Sequence, residues 1–154
     1  MNIGIVVHSH TQNTLSVGER LKEALAAKGH TVALKRVIAV NEDPTSNQPV
    51  LLAEAPDVSG DDYVIFGAPV RAFSISPVMK VYLQQMSSIN GKKVACFVTQ
   101  YLKKPWMGGN RAVRQMTRLA ASLNGSVVHT GIVNWTSPAR DEQIETVLSE
   151  FCLV

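Results

Sequence analysis

Of the chain's 154 residues, 45% are hydrophobic and 18% charged, the balance of one ordinary globular domain with its own core and not of a disordered or low-complexity chain. The formal charge is +3, and the lysines and arginines are spread along the chain in short pairs such as Lys92-Lys93 and Lys103-Lys104. So mild a charge gives no reason to expect nucleic acid as a partner.

Residues 3–7 are the first apolar run and predict a strand buried on both faces. The run is too short to span a bilayer and no basic stretch precedes it, so a soluble, cytoplasmic protein without a membrane partner is expected. Residues 9–14 then concentrate hydroxyl and amide side chains. Val17, Leu21, Ala24 and Leu25 follow at helical spacing, closed by Gly29 where a left-handed cap is expected. Residues 31–37 predict a second strand, and a weaker apolar patch at 49–55 predicts a short second helix. A third strand is predicted at 63–66. Ser76 as N-cap and Pro77 at the first helical position then open a stripe of Val78, Met79, Tyr82, Leu83 and Met86. The fourth strand, 94–98, precedes a stripe of Ala112, Val113, Met116, Leu119, Ala120 and Leu123 that ends at Asn124-Gly125. A fifth strand at 127–133 leads to Ser137-Pro138, which announces a last helix carrying Ile144, Val147, Leu148 and Phe151.

Strands alternating with helices imply a parallel sheet covered on both faces, because each crossover is right-handed and lays its helix on one side or the other. The expected fold is a three-layer, doubly wound α/β sandwich formed by one domain spanning residues 1–154. Ligands of such sheets sit beyond the carboxyl ends of the strands, where the strand order reverses. The segments to inspect are therefore 9–14, 67–74 and 99–109, which follow the first, third and fourth strands.

The first of these opens a helix, whose leading N–H groups lack intrahelical partners and whose dipole favours an anion. Ser9, Thr11, Asn13 and Thr14 add side-chain donors, and no lysine or arginine lies in the segment. A phosphate held by neutral donors fits this composition better than a helix cap, for which one residue would suffice.

Other chemistries lack their residues. The first turn has neither GxGxxG nor GxxxxGK[ST], so dinucleotide and Walker-type triphosphate sites are not indicated. The paired acids of a receiver domain and the cysteine and arginine of a small tyrosine phosphatase are missing as well. No GxSxG elbow supports a hydrolase built on Ser9 with His8 or His10. His8, His10, His30 and His129 show no metal-ligand spacing, and Cys96 and Cys152 lack CxxC spacing, so no metal is expected and the thiols read as inert in a reducing compartment.

Taken together these motifs resemble those of the flavodoxin-like proteins of the short-chain type. "SHTQNT" at 9–14 is similar to the flavodoxin phosphate motif [ST]-x-T-G-x-T. "VIFGAPVRAFSISPVMKVYL" at 64–83 resembles the third strand, flavin loop and following helix, and "VACFVT" with "GGNRAVRQM" resembles the fourth strand and the glycine pair opening its helix. The resemblance implies a five-stranded sheet in the order 2-1-3-4-5, FMN as cofactor and redox chemistry. By position it implies that Ser9, Thr11, Asn13 and Thr14, with the backbone of His10 and Gln12, hold the FMN phosphate. Pro69, Val70, Arg71, Ala72 and Phe73 would run beside the isoalloxazine ring. Thr99, Gln100 and Tyr101 would begin the other wall, and Trp106, Gly108 and Gly109 would complete it. Aromatic side chains suit that task because they stack on a flat ring and exclude water, although Phe73, Tyr101 and Trp106 also suit ordinary packing. Gly67 and Gly108-Gly109 read equally as turns needing positive φ or as sites of close approach.

Two departures qualify the resemblance. Gln12 stands where the motif has glycine, so a left-handed backbone there would cost about 1 kcal/mol. Arg71, Lys103 and Lys104 bring positive charge to loops that are acidic in low-potential flavodoxins, which favours easier two-electron reduction. The expected function is electron transfer through bound FMN, with a redox partner protein, by a monomer or homodimer. One alternative is an NAD(P)H-dependent FMN reductase acting on quinones or similar acceptors, with the "KKPWMGG" segment covering a flat substrate. The other is a flavodoxin fold that has lost its flavin. No catalytic acid or base is nominated.

Overall fold

The computed structural model describes residues 1–102 and 105–154. Among the described residues the strands are β1 (Asn2–Val7), β2 (Thr31–Arg36), β3 (Ile38–Ala39), β4 (Leu52–Glu54), β5 (Tyr63–Arg71), β6 (Ser74–Ile75), β7 (Lys93–Gln100) and β8 (Ser126–Asn134). The helices are α1 (Asn13–Ala27), α2 (Pro77–Gln85), α3 (Gly109–Ser122) and α4 (Arg140–Phe151), with a short 3₁₀ turn at Pro105–Met107 before α3. Parallel pairing orders the main sheet β2-β1-β5-β7-β8, the 2-1-3-4-5 arrangement of its long strands. Among the described residues no helix is long and apolar enough to cross a membrane.

The central strands are apolar on both faces because both faces are covered. Along β5, Val64, Phe66 and Ala68 join one cluster with Met79, Leu83 and Met116 of α2 and α3, while Tyr63 and Ile65 join the other with Leu21 and Phe151 of α1 and α4. β7 alternates in the same way, Val94, Cys96 and Val98 against Ala95 and Phe97. Phe97 meets Phe151 edge to face with ring centroids 6.2 Å apart. Gly67 is what admits that ring: a Cβ there would lie 2.2 Å from Phe97 Cζ. Close approach, and not positive φ, is therefore the reason for this glycine. Burial pushes the Cys96 thiol up to about 12, and both cysteines are buried and free.

The helix ends carry their sequence signals with one exception. Gly29 has φ 91, its N–H donates to Ala26 O and the His30 N–H to Leu25 O, the pattern of a Schellman cap. Asn124, at φ 65, does the same for α3, where the Gly125 N–H reaches Ala120 O. Ser76 caps α2 by accepting from the Met79 N–H at 3.3 Å. Ser137-Pro138, by contrast, does not cap α4. The helix starts at Arg140, and Ser137 Oγ instead accepts from the Ala139 N–H in the preceding turn. Asp141 and Glu142 in the first turn of α4 face its positive end in place of a side-chain cap.

The short second helix predicted at 49–55 does not form. Leu52–Glu54 is β4, paired antiparallel with β3. Only residues 50–55 lie between Pro49 and Pro56, and the residue before a proline is driven to extended backbone, so no stable helical turn fits there. This crossover from β2 to β5 thus covers the sheet with irregular chain, burying Val37, Ala39 and Val58 in the α2–α3 cluster with Val50 and Leu52 packed against it.

Candidate functional site at the strand carboxyl ends

A buried His8 follows β1, and the chain turns into α1 through a left-handed residue. That residue is Gln12, the N-cap, with φ 72 and ψ −6 and no capping bond from its own side chain. The cap comes from Ser9, whose Oγ accepts the Leu15 N–H at 3.2 Å. Its hydroxyl hydrogen is left to donate elsewhere. Thr14 is buried and exchanges a hydroxyl hydrogen bond of 2.7 Å with Thr99, tying the α1 start to the end of β7. His10, Thr11 and Gln12 are exposed and Asn13 is half-buried, so these residues form the outer rim of the turn.

The turn is not neutral, as its own residues suggested. Parallel pairing sets Arg36 opposite Val7, and its Nη2 donates to the Ser9 carbonyl at 3.4 Å. A cation from the neighbouring strand therefore lies beside the helix N-terminus. The signal that could have found it is the register: a residue paired to the last position of β1 must lie beside the turn that follows.

The expected loop at 67–74 is mostly strand. β5 keeps its parallel pairing with β7 as far as Pro69, then folds back as a hairpin in which Val70 opposes Ile75 and Arg71 opposes Ser74. Ala72 and Phe73 make the turn at φ 49 and 64, the two left-handed centres of a type I′ hairpin without glycine or asparagine. Gln115 of α3 accepts the Ile75 N–H at 2.9 Å, which fixes the hairpin onto the helix. Gly108 makes that contact close, since at φ 121 a Cβ on it would sit 2.9 Å from Phe73 Cα. Gly108 thus satisfies both readings of the sequence, positive φ and close approach. Gly109 is buried, its hypothetical Cβ 2.9 Å from Ile132.

On the other wall Thr99 and Gln100 are buried strand residues. Gln100 Nε2 donates to Asn134 Oδ1 on β8, and the Thr136 hydroxyl donates to the Tyr101 carbonyl at 2.7 Å. Three aromatic side chains are exposed at this end: Phe73 is 59% exposed, Tyr101 74% and Trp106 72%. Lys103 and Lys104, expected in this wall, lie outside the described residues.

A polar network that the motifs did not reveal lies behind the hairpin, with His8 and Ser76 buried and Glu42 at the surface. His8 Nδ1 is 3.0 Å from Ser76 Oγ, and Nε2 is 3.0 Å from Glu42 Oε2. Glu42 Oε1 accepts the Ala39 N–H at 2.7 Å. The bonds close with a neutral imidazole: Ser76 O–H donates to Nδ1 while its oxygen accepts from Met79, and Nε2–H donates to Glu42. Burial is the main force lowering the His8 pKa, against the pull of Glu42. Burial opposes the Glu42 carboxylate too, but hydrogen bonds from His8 and Ala39 outweigh it and keep its pKa low. Ser76 is wholly buried and caps α2, so this row of Ser, His and Glu offers no accessible nucleophile.

No protein-family model and no curated protein matches the chain. Solved structures do. The two-electron reduced flavodoxin of Megasphaera elsdenii superposes with a TM-score of 0.72 at 19% identity over 99% of each chain. The oxidised flavodoxin 1 of Bacillus cereus gives 0.70 at 15% identity, over 99% of this chain and 95% of that one. A flavoprotein of Lactobacillus acidophilus in complex with FMN gives 0.64 at 17% identity, over 94% of this chain and 97% of that one. With the same strand order and full-length superposition, the chain has the flavodoxin-like fold.

Proposed function

We propose that the protein binds FMN across the carboxyl ends of β1, β5 and β7 and transfers electrons through it, in the manner of a flavodoxin. The observation that carries this reading is the convergence, at one end of the sheet, of a donor-rich helix N-terminus with three exposed aromatic side chains, Phe73, Tyr101 and Trp106. Resemblance to the FMN complex of the Lactobacillus acidophilus flavoprotein supports it.

The donor set fits the group. The N–H groups of Asn13 and Thr14 have no intrahelical partners, Thr11 and Asn13 offer side chains at the rim, and Ser9 retains its O–H. Arg36 adds charge from β2. No carboxylate lies in the turn to repel a phosphate. The Thr14 and Thr99 hydroxyls bind each other, so Thr14 contributes its backbone and not its side chain. Exposed aromatic rings beyond β5 and β7 suit a flat, largely apolar ring. The hairpin backbone at residues 69–73 and the side chains of Tyr101 and Trp106 would orient that ring between them, and Arg71 would favour whichever redox form carries more negative charge. When bound, FMN supplies the one- and two-electron chemistry, and the chain supplies position, dryness and potential.

Titrating FMN into the purified protein should give saturable quenching of flavin fluorescence, a yellow complex and a raised melting temperature. A colourless protein whose melting FMN does not shift would overturn the reading. Thr11→Ala and Asn13→Ala should each weaken FMN binding by about tenfold, the worth of one hydrogen bond to a charged group. Unchanged affinity in both would remove the phosphate assignment. The open aromatic face at Tyr101 and Trp106 favours a second reading, NAD(P)H-dependent reduction of quinones. Rapid NAD(P)H oxidation by the holo protein with a quinone would select it, and inertness without a partner reductase would select the carrier. Gln12 takes a left-handed backbone despite its side chain, which supports the phosphate site over a fold that has lost its flavin.

A further inference from the structure

Behind the hairpin, between the start of α2 and residues 40–51, lies a cavity of about 560 Å³ that, among the described residues, touches neither the donor-rich turn at 9–14 nor the wall that begins at Thr99. Its size is that of a pocket for a small organic molecule. The lining is mainly apolar, with Val40, Pro49, Val50, Leu51, Pro77 and Val78 around it. Val40 is 69% exposed and Leu51 66%, two aliphatic side chains held against solvent at its edge, where the Val40 N–H donates to the Leu51 carbonyl. Leaving such groups in water forgoes burial that a bound apolar body would supply.

The charges of the cavity are unequal in what they already hold. Glu42 accepts from His8 and from Ala39, and Asp43 accepts from the backbone and hydroxyl of Thr45. Both acids are satisfied within the chain. Arg71 also lines the cavity, half-buried, and among the described residues its guanidinium makes no ion pair or hydrogen bond. A guanidinium presents a planar fork that matches a carboxylate with two parallel hydrogen bonds. A lining that is apolar over most of its area, with Asn41, Ser46 and Gln48 as its neutral polar residues and Arg71 as its one unpaired cation among the described residues, suits a molecule that is apolar over most of its surface and carries a single carboxylate.

We propose that this cavity is a second ligand site, for a small apolar carboxylic acid whose carboxylate engages Arg71 and whose hydrocarbon or aromatic body lies against Val50, Leu51 and Pro77. The site requires no flavin. It shares only the hairpin with the proposed FMN site, so it can be tested in protein that carries none.

Phenylacetate and its uncharged analogue 2-phenylethanol serve as probes, each titrated into the full-length, FMN-free protein and followed by calorimetry and thermal melting. Phenylacetate should bind saturably and raise the melting temperature, and 2-phenylethanol should bind about tenfold or more weakly. Arg71→Gln should abolish that preference for the acid, and Arg71→Lys should restore part of it. Val50→Trp, which fills the chamber, should remove binding of both probes while leaving FMN uptake as in the wild type. Equal binding of acid and alcohol, acid binding that survives both Arg71→Gln and Val50→Trp, or no binding of either probe at millimolar concentration would overturn the proposal. Should Arg71→Gln fail to fold, the Val50→Trp variant and the acid–alcohol comparison still decide it. Displacement of phenylacetate by FMN would also overturn it, since the chamber would then be part of the flavin site.

Discussion

Gln12 shows how much a single backbone angle carries. At φ 72 it is a non-glycine residue in the left-handed region, held there because the turn must bring α1 back over β1. Gln12→Gly should therefore stabilise the protein by up to about 1 kcal/mol, less the added entropy of glycine in the unfolded chain. With that entropy at about 0.4–1 kcal/mol the net gain is about 0–0.6 kcal/mol, a rise of at most about 2 °C in melting temperature, and a fall of several degrees would show that the glutamine side chain is itself engaged. His8 works through protonation. Its pKa is lowered from 6.5 in the fold, so as the pH drops below that value the unfolded chain takes up the proton first and the native state loses stability. Glu42, also lowered, extends the loss to more acid pH. Melting temperature should fall as the pH drops below 6.5, and His8→Gln should flatten that fall; an unchanged slope would exclude His8 as its source.

At the scale of elements, α2 is joined to the β3–β4 segment through one serine. Ser76 caps the helix and also satisfies His8, which in turn holds Glu42 and the chain around Ala39. Ser76→Ala should cost about 2–3 kcal/mol in denaturant unfolding, about 1 for the cap and the rest for the buried imidazole nitrogen left without a partner. A loss of only about 1 kcal/mol would mean that the network adds nothing to the cap. The hairpin of β5 and β6 is the other element decided by its neighbours. Two left-handed residues, neither of them glycine, make a poor turn by themselves, and it is the Gln115 bond and the contact with Gly108 that hold it. A reading from local signals alone sees an apolar run stopping at Phe66 and a loop beyond, because the pairing that continues β5 comes from β7 as far as Pro69 and from β6 at Val70 and Arg71.

For the molecule as a whole, packing on one face of the sheet ties separate elements together. Phe97 lies over Gly67 and against Phe151, linking β5, β7 and α4 in one contact. Gly67→Ala should destabilise by about 1–3 kcal/mol through overpacking, since the ring cannot withdraw without disturbing α4. A neutral effect on melting would mean that the ring has room to move.

The five long strands and four main helices were legible in the sequence, as was the gathering of the candidate site residues at the strand carboxyl ends. Hydrophobic period, Ser76-Pro77, Gly29 and Asn124-Gly125 are local signals, and neighbouring residues suffice to express them. Tertiary structure alone decided that 49–55 is not a helix, that 67–71 is strand, that Arg36 stands beside the turn at Ser9, and that His8 bonds Glu42 and Ser76, 34 and 68 residues away. Contacts at such separations depend on which strands pair and in what register. No period of the local sequence encodes that, because it is set by closing the whole chain around a shared core.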